Sequence, residues 1–383
     1  MIQFDFQKKC YRCSACVQQC PTGAISLTAE LTPTVDVVRC IRCGRCDSVC
    51  LHLTPPAERL PITGTAAFAK NNNDSLRRMS SSGGMFYALA AHTLLTGGAV
   101  CGCIWDENFQ PKHIVSDRME DIRRMMGSKY VMSDLGDSIP QMEKLLKEGR
   151  TVLFSGVPCQ TEAVVRCLRS YRSQLLVVSL VCHGFIDRSL WANFLSQTVP
   201  PEKQLAQITM RDKSNGWANY GLKFVYTDST SQISYRNSDG YFLKCFTSGL
   251  FQRDRCLTCQ YKGGAISADI LLGDGWGAEK LFPAFADTLG ISSVLCRTEL
   301  GIRAFKAVAA ECAVVEIPVE TLLQTNPRIT MPEHDSLDRH RFFRDYRAHP
   351  KRLTILCKRY AQPSLLSRGL LKIYRLFVNR FYR

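Results

Sequence analysis

Two cysteine ladders within the first fifty residues constrain the chain more than anything else in it. Cys10, Cys13, Cys16 and Cys20 are separated by two, two and three residues, with Pro21 after the last. Cys40, Cys43, Cys46 and Cys50 repeat that spacing. Thiolate sulfur is a soft ligand that suits zinc or iron–sulfur clusters. Structural zinc sites take two separated ligand pairs rather than runs of four. A disulfide framework needs an oxidising compartment, and Met1–Lys9 lacks the apolar stretch of an export signal. The runs therefore point to iron–sulfur clusters and the thiols to the cytoplasm.

A run of this spacing is found in bacterial ferredoxins, where the fourth cysteine of each run crosses to the other cluster. On that pattern Cys10, Cys13, Cys16 and Cys50 hold one 4Fe–4S cluster, and Cys40, Cys43, Cys46 and Cys20 hold the other. Leu51, not proline, follows Cys50, which affects the exit of the chain more than the ligands. Residues 1–60 are expected to form a two-cluster ferredoxin-type domain whose clusters replace much of a core. Pro55, Pro56 and Pro61 close it. Residues 61–75, with Asn71-Asn72-Asn73-Asp74, are expected as a polar linker. Residues 76–335 are expected as a larger α/β domain with a mostly parallel sheet, and residues 336–383 as a basic helical tail.

A chain of 383 residues has room for two or three such units. Its net charge of +15 is uneven: residues 336–383 carry thirteen Lys/Arg against two Asp/Glu. Within that tail Leu366, Leu370, Ile373, Phe377 and Phe381 share one helical face, and Arg368, Lys372 and Arg375 lie on another. Such a helix suits an anionic membrane surface at the inner face of the membrane, or docks on the protein's own core; both remain open. Nucleic acid is not expected as a partner, because the tail has charge but no recognition motif. Ser80 to Trp105 is uncharged and long enough to span a bilayer. Gly83-Gly84 near its start and Gly97-Gly98 within it instead predict a buried helix followed by a buried strand.

Apolar runs predict strands at Gly98–Trp105, Thr151–Phe154, Leu175–Val181 and Ser267–Leu272, with helices over Ile139–Glu148 and from Cys159 to about Ser170. Strand, helix, strand implies a parallel crossover. Cys159 and Cys182 then fall just past the ends of parallel strands, where open α/β sheets bind ligands. Cys256 and Cys259 precede another strand. On spacing alone, these four either converge on a third cluster or are buried structural thiols. Residues 205–246 read as a β-rich region, and Arg211, Lys213, Trp217 and Tyr220 in it suit either a pocket wall or an exposed turn.

Taken in order, these motifs resemble the family of coenzyme F420 hydrogenase/dehydrogenase β-subunits, over roughly residues 1–335. The matching pieces are the ladders, Ser82-Gly83-Gly84, Gly127-Ser128-Lys129-Tyr130-Val131, Ser155-Gly156-Val157-Pro158-Cys159-Gln160, Cys182-His183-Gly184, Cys256 with Cys259, and Gly273-Asp274-Gly275-Trp276-Gly277. The resemblance implies a flavoprotein binding FAD beside a third 4Fe–4S cluster. Ser82, Gly83 and Gly84 would cradle flavin phosphates at a helix N-terminus, and Ser128, Lys129, Tyr130, Gly156 and Asp274 would face the cofactor. Cys159, Cys182, Cys256 and Cys259 would hold the third cluster. The pattern looks like the bacterial branch that accompanies surface-polysaccharide synthesis, which implies a small-molecule or glycan substrate.

The chain is therefore expected to be an iron–sulfur flavoprotein oxidoreductase fed by a ferredoxin or another redox partner. His183 is expected to donate a proton, or to support the cluster by a hydrogen bond. Lys129 is expected to stabilise negative charge on the reduced flavin. The competing expectation is an electron-transfer subunit with no substrate site of its own.

Overall fold

The computed structural model describes residues 2, 4–56, 61–262 and 267–361. In the N-terminal unit, strands β1 (Ile25–Leu27) and β2 (Pro33–Val35) pair antiparallel, with Ile25 opposite Val35. One-turn helices Ala15–Gln18 and Arg45–Ser48 begin inside the two ladders. With so little regular structure, the cysteine loops define the unit. Arg12 and Ser14 are left-handed, with φ of 55° and 60°, and the equivalent residues of the second ladder, Arg42 and Gly44, have φ of 53° and 75°. The repeat is thus one of backbone conformation as well as spacing. Left-handed backbone costs an ordinary residue roughly 1–2 kcal/mol. It turns peptide groups toward sulfur: the Arg12 N–H donates to Cys10 Sγ at 3.2 Å.

The body begins with β3 (Thr65–Asn71), β4 (Ala99–Trp105), β5 (Pro111–Ser116), β6 (Val152–Gly156) and β7 (Leu175–Leu180). A separate antiparallel sheet follows, made of β8 (Leu205–Asp212), β9 (Gly221–Tyr226) and β10 (Ser231–Tyr235). The chain then returns with β11 (Ile270–Asp274), β12 (Ser292–Cys296) and β13 (Cys312–Ile317). The large sheet has eight strands in the order β13-β3-β12-β11-β7-β6-β4-β5.

The four strands expected from the sequence are its middle, β4, β6, β7 and β11, and they run parallel. The sheet as a whole is mixed rather than mostly parallel, because β5 on one side and β12, β3 and β13 on the other run antiparallel to their neighbours. A tight turn joins β4 to β5, and a link that short forms only an antiparallel hairpin. Asp106 pins the turn by accepting the N–H groups of Asn108 and Gln110.

Residues 61–75 are not a linker. Thr65–Asn71 forms β3, seated between β12 and β13 with Phe68 fully buried. Its alanines give a weak hydrophobic signal. Asn73, in the polar stretch that follows, caps helix Asp74–Met79 by accepting the Leu76 N–H.

Alternate residues of the sheet enter two cores. Phe68, Phe154, Val177 and Leu271 pack with helices Ser138–Lys147 and Pro158–Cys167. Ala69, Leu153, Val178 and Ile270 pack with helices Met85–Leu95 and Glu299–Val308. Cover on both faces explains why these strands read as continuous apolar runs. Ser80 to Trp105 holds helix Met85–Leu95 and β4, and among the described residues no helix is long and apolar enough to cross a membrane.

A third core is aromatic: Trp191, Phe194, Phe242 and Phe251 pack beside the small sheet, with the Phe194 and Phe242 rings 3.8 Å apart. Helices Leu337–Ala348 and Leu353–Tyr360 insert Phe342, Leu353 and Leu356 into it. Residues 336–361, expected as the start of a separate tail, are therefore part of the body. Arg341, Arg344, Arg347, Arg352 and Arg359 face outward while Phe342, Leu353 and Leu356 carry the burial; Arg339 is itself buried and donates to the Gln252 carbonyl and to Asp254. The basic face beginning at Leu366 lies outside the described residues. Phe342→Ala is expected to destabilise the body by about 3–5 kcal/mol, the range for emptying a buried aromatic site. Denaturant titration followed by near-ultraviolet dichroism measures it, and an unchanged midpoint would mean the helix is not part of the core.

Candidate functional site

The ladders fold as their crossover pattern requires. Cys10, Cys13, Cys16 and Cys50 line one small cavity, and Cys20, Cys40, Cys43 and Cys46 line another. Among the described residues, no group of three or more His, Cys, Asp or Glu side chains is gathered as a single metal ion would need. Four thiols around a cavity suit a cluster, whose irons each take a separate thiolate. Burial pushes the Cys10 and Cys13 thiols up, so their ionisation calls for positive charge of the kind iron supplies. Cys43 is exposed, which puts the second set at the surface, whereas Cys10 and Cys13 are buried against the body.

The third set also converges. Cys159, at the start of helix Pro158–Cys167 after β6, and Cys182, after β7, share one cavity with Cys256 and Cys259. Gly184 makes the approach possible. Its φ is +121°, and a Cβ there would come within 2.7 Å of Gln252 and 3.3 Å of Cys256. Its N–H donates to Cys182 Sγ at 3.3 Å. Arg253, Arg255 and Lys262 line the same cavity and offset negative charge in it. Burial, together with the neighbouring thiols of Cys259, Cys182, Cys13 and Cys256, pushes Cys159 up. Cys13 of the buried ladder set belongs to the same apolar cluster as Cys159, sealed by Tyr11 edge-on to Tyr261 at 5.0 Å. The remaining seven cysteines lie outside these three cavities.

Cys182 also lines a cavity of about 410 Å³ beyond the ends of β6, β7 and β11. Ser82, Gly84, Ser128, Lys129, Tyr130, Gly156, His183 and Asp274, all expected from the sequence, line it. Gly84 is the left-handed N-cap of helix Met85–Leu95, whose first N–H groups are free of intrahelical partners. The hydroxyl of Ser81, which precedes the expected Ser82-Gly83-Gly84 motif, bonds to that of Ser128 at 2.7 Å across the cavity wall, while the Ser82 hydroxyl donates to the Ile291 carbonyl. The Tyr130 ring stacks on Phe246 at 4.4 Å. Size, helix N-terminus, hydroxyls and aromatic wall fit a flavin nucleotide.

Two expected residues do something else. Gly83 is packed behind the wall: its N–H donates to Ser292 Oγ at 3.0 Å, and a Cβ would lie 2.4 Å from the Ala69 carbonyl. It positions the serines rather than touching a ligand. Lys129 Nζ donates to the carbonyls of Met126 and Gly127 at 3.0 and 3.2 Å, and to Met125 at 3.4 Å. It therefore caps the end of helix Met119–Met125, with its ammonium protons taken. Burial pushes its pKa down.

The β-rich region supplies one end of the cavity, so Arg211, Lys213, Trp217 and Tyr220 are buried rather than an exposed turn. Arg211 Nη1 donates to Asp274 Oδ2 at 2.6 Å, and its guanidinium lies 4.3 Å over the Tyr220 ring. Burial is the largest single influence and opposes its charge, but Asp274 together with Tyr130 and Tyr220 outweighs it and raises its pKa. Nε and Nη2 of Arg211 are buried with no partner among the described residues, which leaves donors for an anionic or carbonyl oxygen. Asp274 also accepts Trp217 Nε1 at 3.3 Å, and Trp217 stacks on Trp276 at 4.4 Å. Lys213 holds the carbonyls of Arg77, Ser82 and Leu289, and burial brings its pKa down to about 7.

Sequence reasoning missed Glu333 and Arg328. Arg328 Nη2 lies 2.6 Å from Glu333 Oε2, and Glu333 Oε1 lies 3.5 Å from His183 Nδ1. All three side chains line the cavity. Neither residue sits in a motif, and only the fold brings them to His183.

Residues 149–320 match the family described as the C terminus of the coenzyme F420 hydrogenase/dehydrogenase beta subunit, and residues 9–53 match the 4Fe–4S dicluster domain. Among curated proteins, the F subunit of F(420)H(2) dehydrogenase from Methanosarcina mazei is 23% identical over 339 residues, spanning 83% of this chain and 86% of the relative. Among solved structures, a chain of the F420-reducing NiFe hydrogenase complex from Methanosarcina barkeri gives a TM-score of 0.48 at 18% identity, covering 80% of this chain and 92% of that one.

Gly83→Ala is expected to push the serine loop off Ala69 and Ser292 and to destabilise the body by about 1–3 kcal/mol, as overpacking does. Thermal unfolding of the variant measures this, and a parental melting temperature would show that the loop is free to move there.

Proposed function

Because residues 149–320 match the C terminus of the coenzyme F420 hydrogenase/dehydrogenase beta subunit and residues 9–53 match a 4Fe–4S dicluster domain, we propose that the chain is an iron–sulfur flavoprotein oxidoreductase of that family, with three clusters and one FAD. The observation that carries this reading is the succession of cysteine sets. Cys43 of the Cys20, Cys40, Cys43 and Cys46 set is exposed, Cys13 of the Cys10, Cys13, Cys16 and Cys50 set is buried with Cys159, and Cys182, which shares the Cys159 cavity, also lines the large cavity. Electrons can pass along that succession between the surface and the cavity.

When bound, a flavin supplies the conversion between single electrons and a hydride equivalent. The chain's residues do the rest. The N–H groups at Gly84–Met85 and the Ser81 and Ser128 hydroxyls hold phosphate oxygens. Tyr130, backed by Phe246, gives a flat apolar wall. Arg211, fixed by Asp274 and Tyr220, offers two donors to a substrate anion or carbonyl. His183 holds or moves a proton at Nδ1, oriented by Glu333, which Arg328 anchors. Reduced coenzyme F420 is the first substrate to assay, since the curated relative's name carries it.

A second reading is an electron-transfer subunit that hands electrons to a partner enzyme, and the curated relative, itself named as a subunit, favours it. Turnover only after addition of a partner protein distinguishes it from the first reading.

Anaerobically purified protein is expected to contain about twelve iron atoms and one flavin per chain. Cys256→Ala is expected to lose about four of them while the ferredoxin-domain signals in electron paramagnetic resonance persist. Iron that stays at the parental value in that variant would remove the third cluster.

A further inference from the structure

The internal repeat of the N-terminal unit has one half in use and the other vacant. In the first ladder the residues after Cys10 are Tyr11 and Arg12. Tyr11 is buried against Tyr261 of the body, and Arg12 pairs with Asp187 at 2.7 Å and Glu30 at 3.4 Å. An apolar knob and an arginine meeting a carboxylate thus hold the first ladder against the Cys159 site. The equivalent residues after Cys40 are Ile41 and Arg42, and Arg42 has nearly the same φ as Arg12, 53° against 55°. Here nothing covers them among the described residues: Ile41 is 63% exposed, and Val37 and Val38 beside it are 69% and 91% exposed. Arg39, Arg42 and Arg45 are all exposed, and none pairs with a carboxylate among the described residues. The loop is not loose. Asp36 accepts the N–H groups of Val38 and Arg39, and Arg39 Nη2 donates to the Thr22 carbonyl at 2.8 Å. It holds three aliphatic side chains in water, and Ile41 among them, with Arg42, lines the Cys20, Cys40, Cys43 and Cys46 cavity. Clustered exposed apolar residues ringed by charge mark an interaction surface.

We propose that Val37, Val38, Ile41 and Arg42, with Arg39 and Arg45 at the rim, form the docking face for a separate one-electron carrier protein whose contact surface is acidic. The carrier repeats what the body does to the first ladder, presenting an apolar recess for Ile41 and a carboxylate for Arg42. One electron leaves the carrier's reduced centre, which is oxidised, and enters the cluster held by Cys20, Cys40, Cys43 and Cys46, which is reduced; no bond or proton changes. The inference rests on the reading that these cysteines hold a cluster. Opposite charge on the two surfaces speeds encounter and makes it sensitive to salt.

The test uses the anaerobic holoprotein, with a reduced acidic plant-type 2Fe–2S ferredoxin as carrier and dithionite as a reductant that needs no docking. Stopped-flow absorbance follows cluster reduction. Arg42→Glu and Val38→Glu should each slow reduction by ferredoxin about tenfold, Val38→Lys should not slow it, and added salt should slow the parent. Reduction by dithionite should be the same in all four proteins. Ferredoxin rates that ignore salt and the sign of the charge at position 38, or no reduction by ferredoxin at all, would overturn the docking face. Failure of the cluster reading looks different: the parent protein would then take no electrons from dithionite in the ferredoxin domain. Val38 is the decisive position, because it is no ligand and its side chain lies in solvent.

Discussion

The gathering of four cysteine sulfurs around one cavity shapes this molecule three times. In each ladder three of the sulfurs are placed locally, by left-handed residues between them, and the fourth crosses from the other ladder. In the body the sulfurs are gathered at long range, by placing Cys159 and Cys182 past adjacent parallel strands and bringing Cys256 and Cys259 over them. The apolar contact of Tyr11, Cys13 and Leu51 with Cys159, Phe185 and Tyr261 then joins the local and long-range sites into one buried block. Without it the N-terminal unit would be a ferredoxin on a tether. With it, the unit is fixed against the sheet edge where the large cavity opens.

Charge follows the same plan. Each buried thiol site or cavity end has a cation close by, and each such cation has its own anchor. Arg253 donates to the Cys10 carbonyl at 3.0 Å while lining the Cys159 site, so it bridges two cysteine sets. Arg211 is held by Asp274, and Arg328 by Glu333. A buried cation without a partner is costly. The carboxylates keep these side chains aimed, and the orphaned donors of Arg211 point into the same cavity.

Much of this was legible in the sequence, and what was not has physical reasons. The ladders were readable because ligand spacing is local. Strands β4, β6, β7 and β11 were readable because burial on both faces makes them continuously apolar. The motifs that line the large cavity were readable through resemblance, although Gly83 and Lys129 proved to position the loop and cap a helix. β3 was hidden because its alanines mimic no strand pattern. That the helices of residues 337–360 pack into the body was hidden because their arginines masked Phe342 and Leu356. Glu333 and Arg328 were hidden because nothing local marks them; they matter only once the fold sets them beside His183. Whether Arg211 faced solvent or a cavity was likewise decided by tertiary packing.

The central claim is that the Cys159 set stands between the ladders and the cavity as an obligatory link. Rapid mixing of the anaerobic Cys159→Ala protein with a ferredoxin-domain reductant, watching clusters and flavin at separate wavelengths, tests it most directly. The account predicts parental reduction of the two ladder clusters and flavin reduction slowed by two orders of magnitude or more, on the order of the loss of a whole electron-transfer step. Flavin reduced at the parental rate in that variant would contradict it.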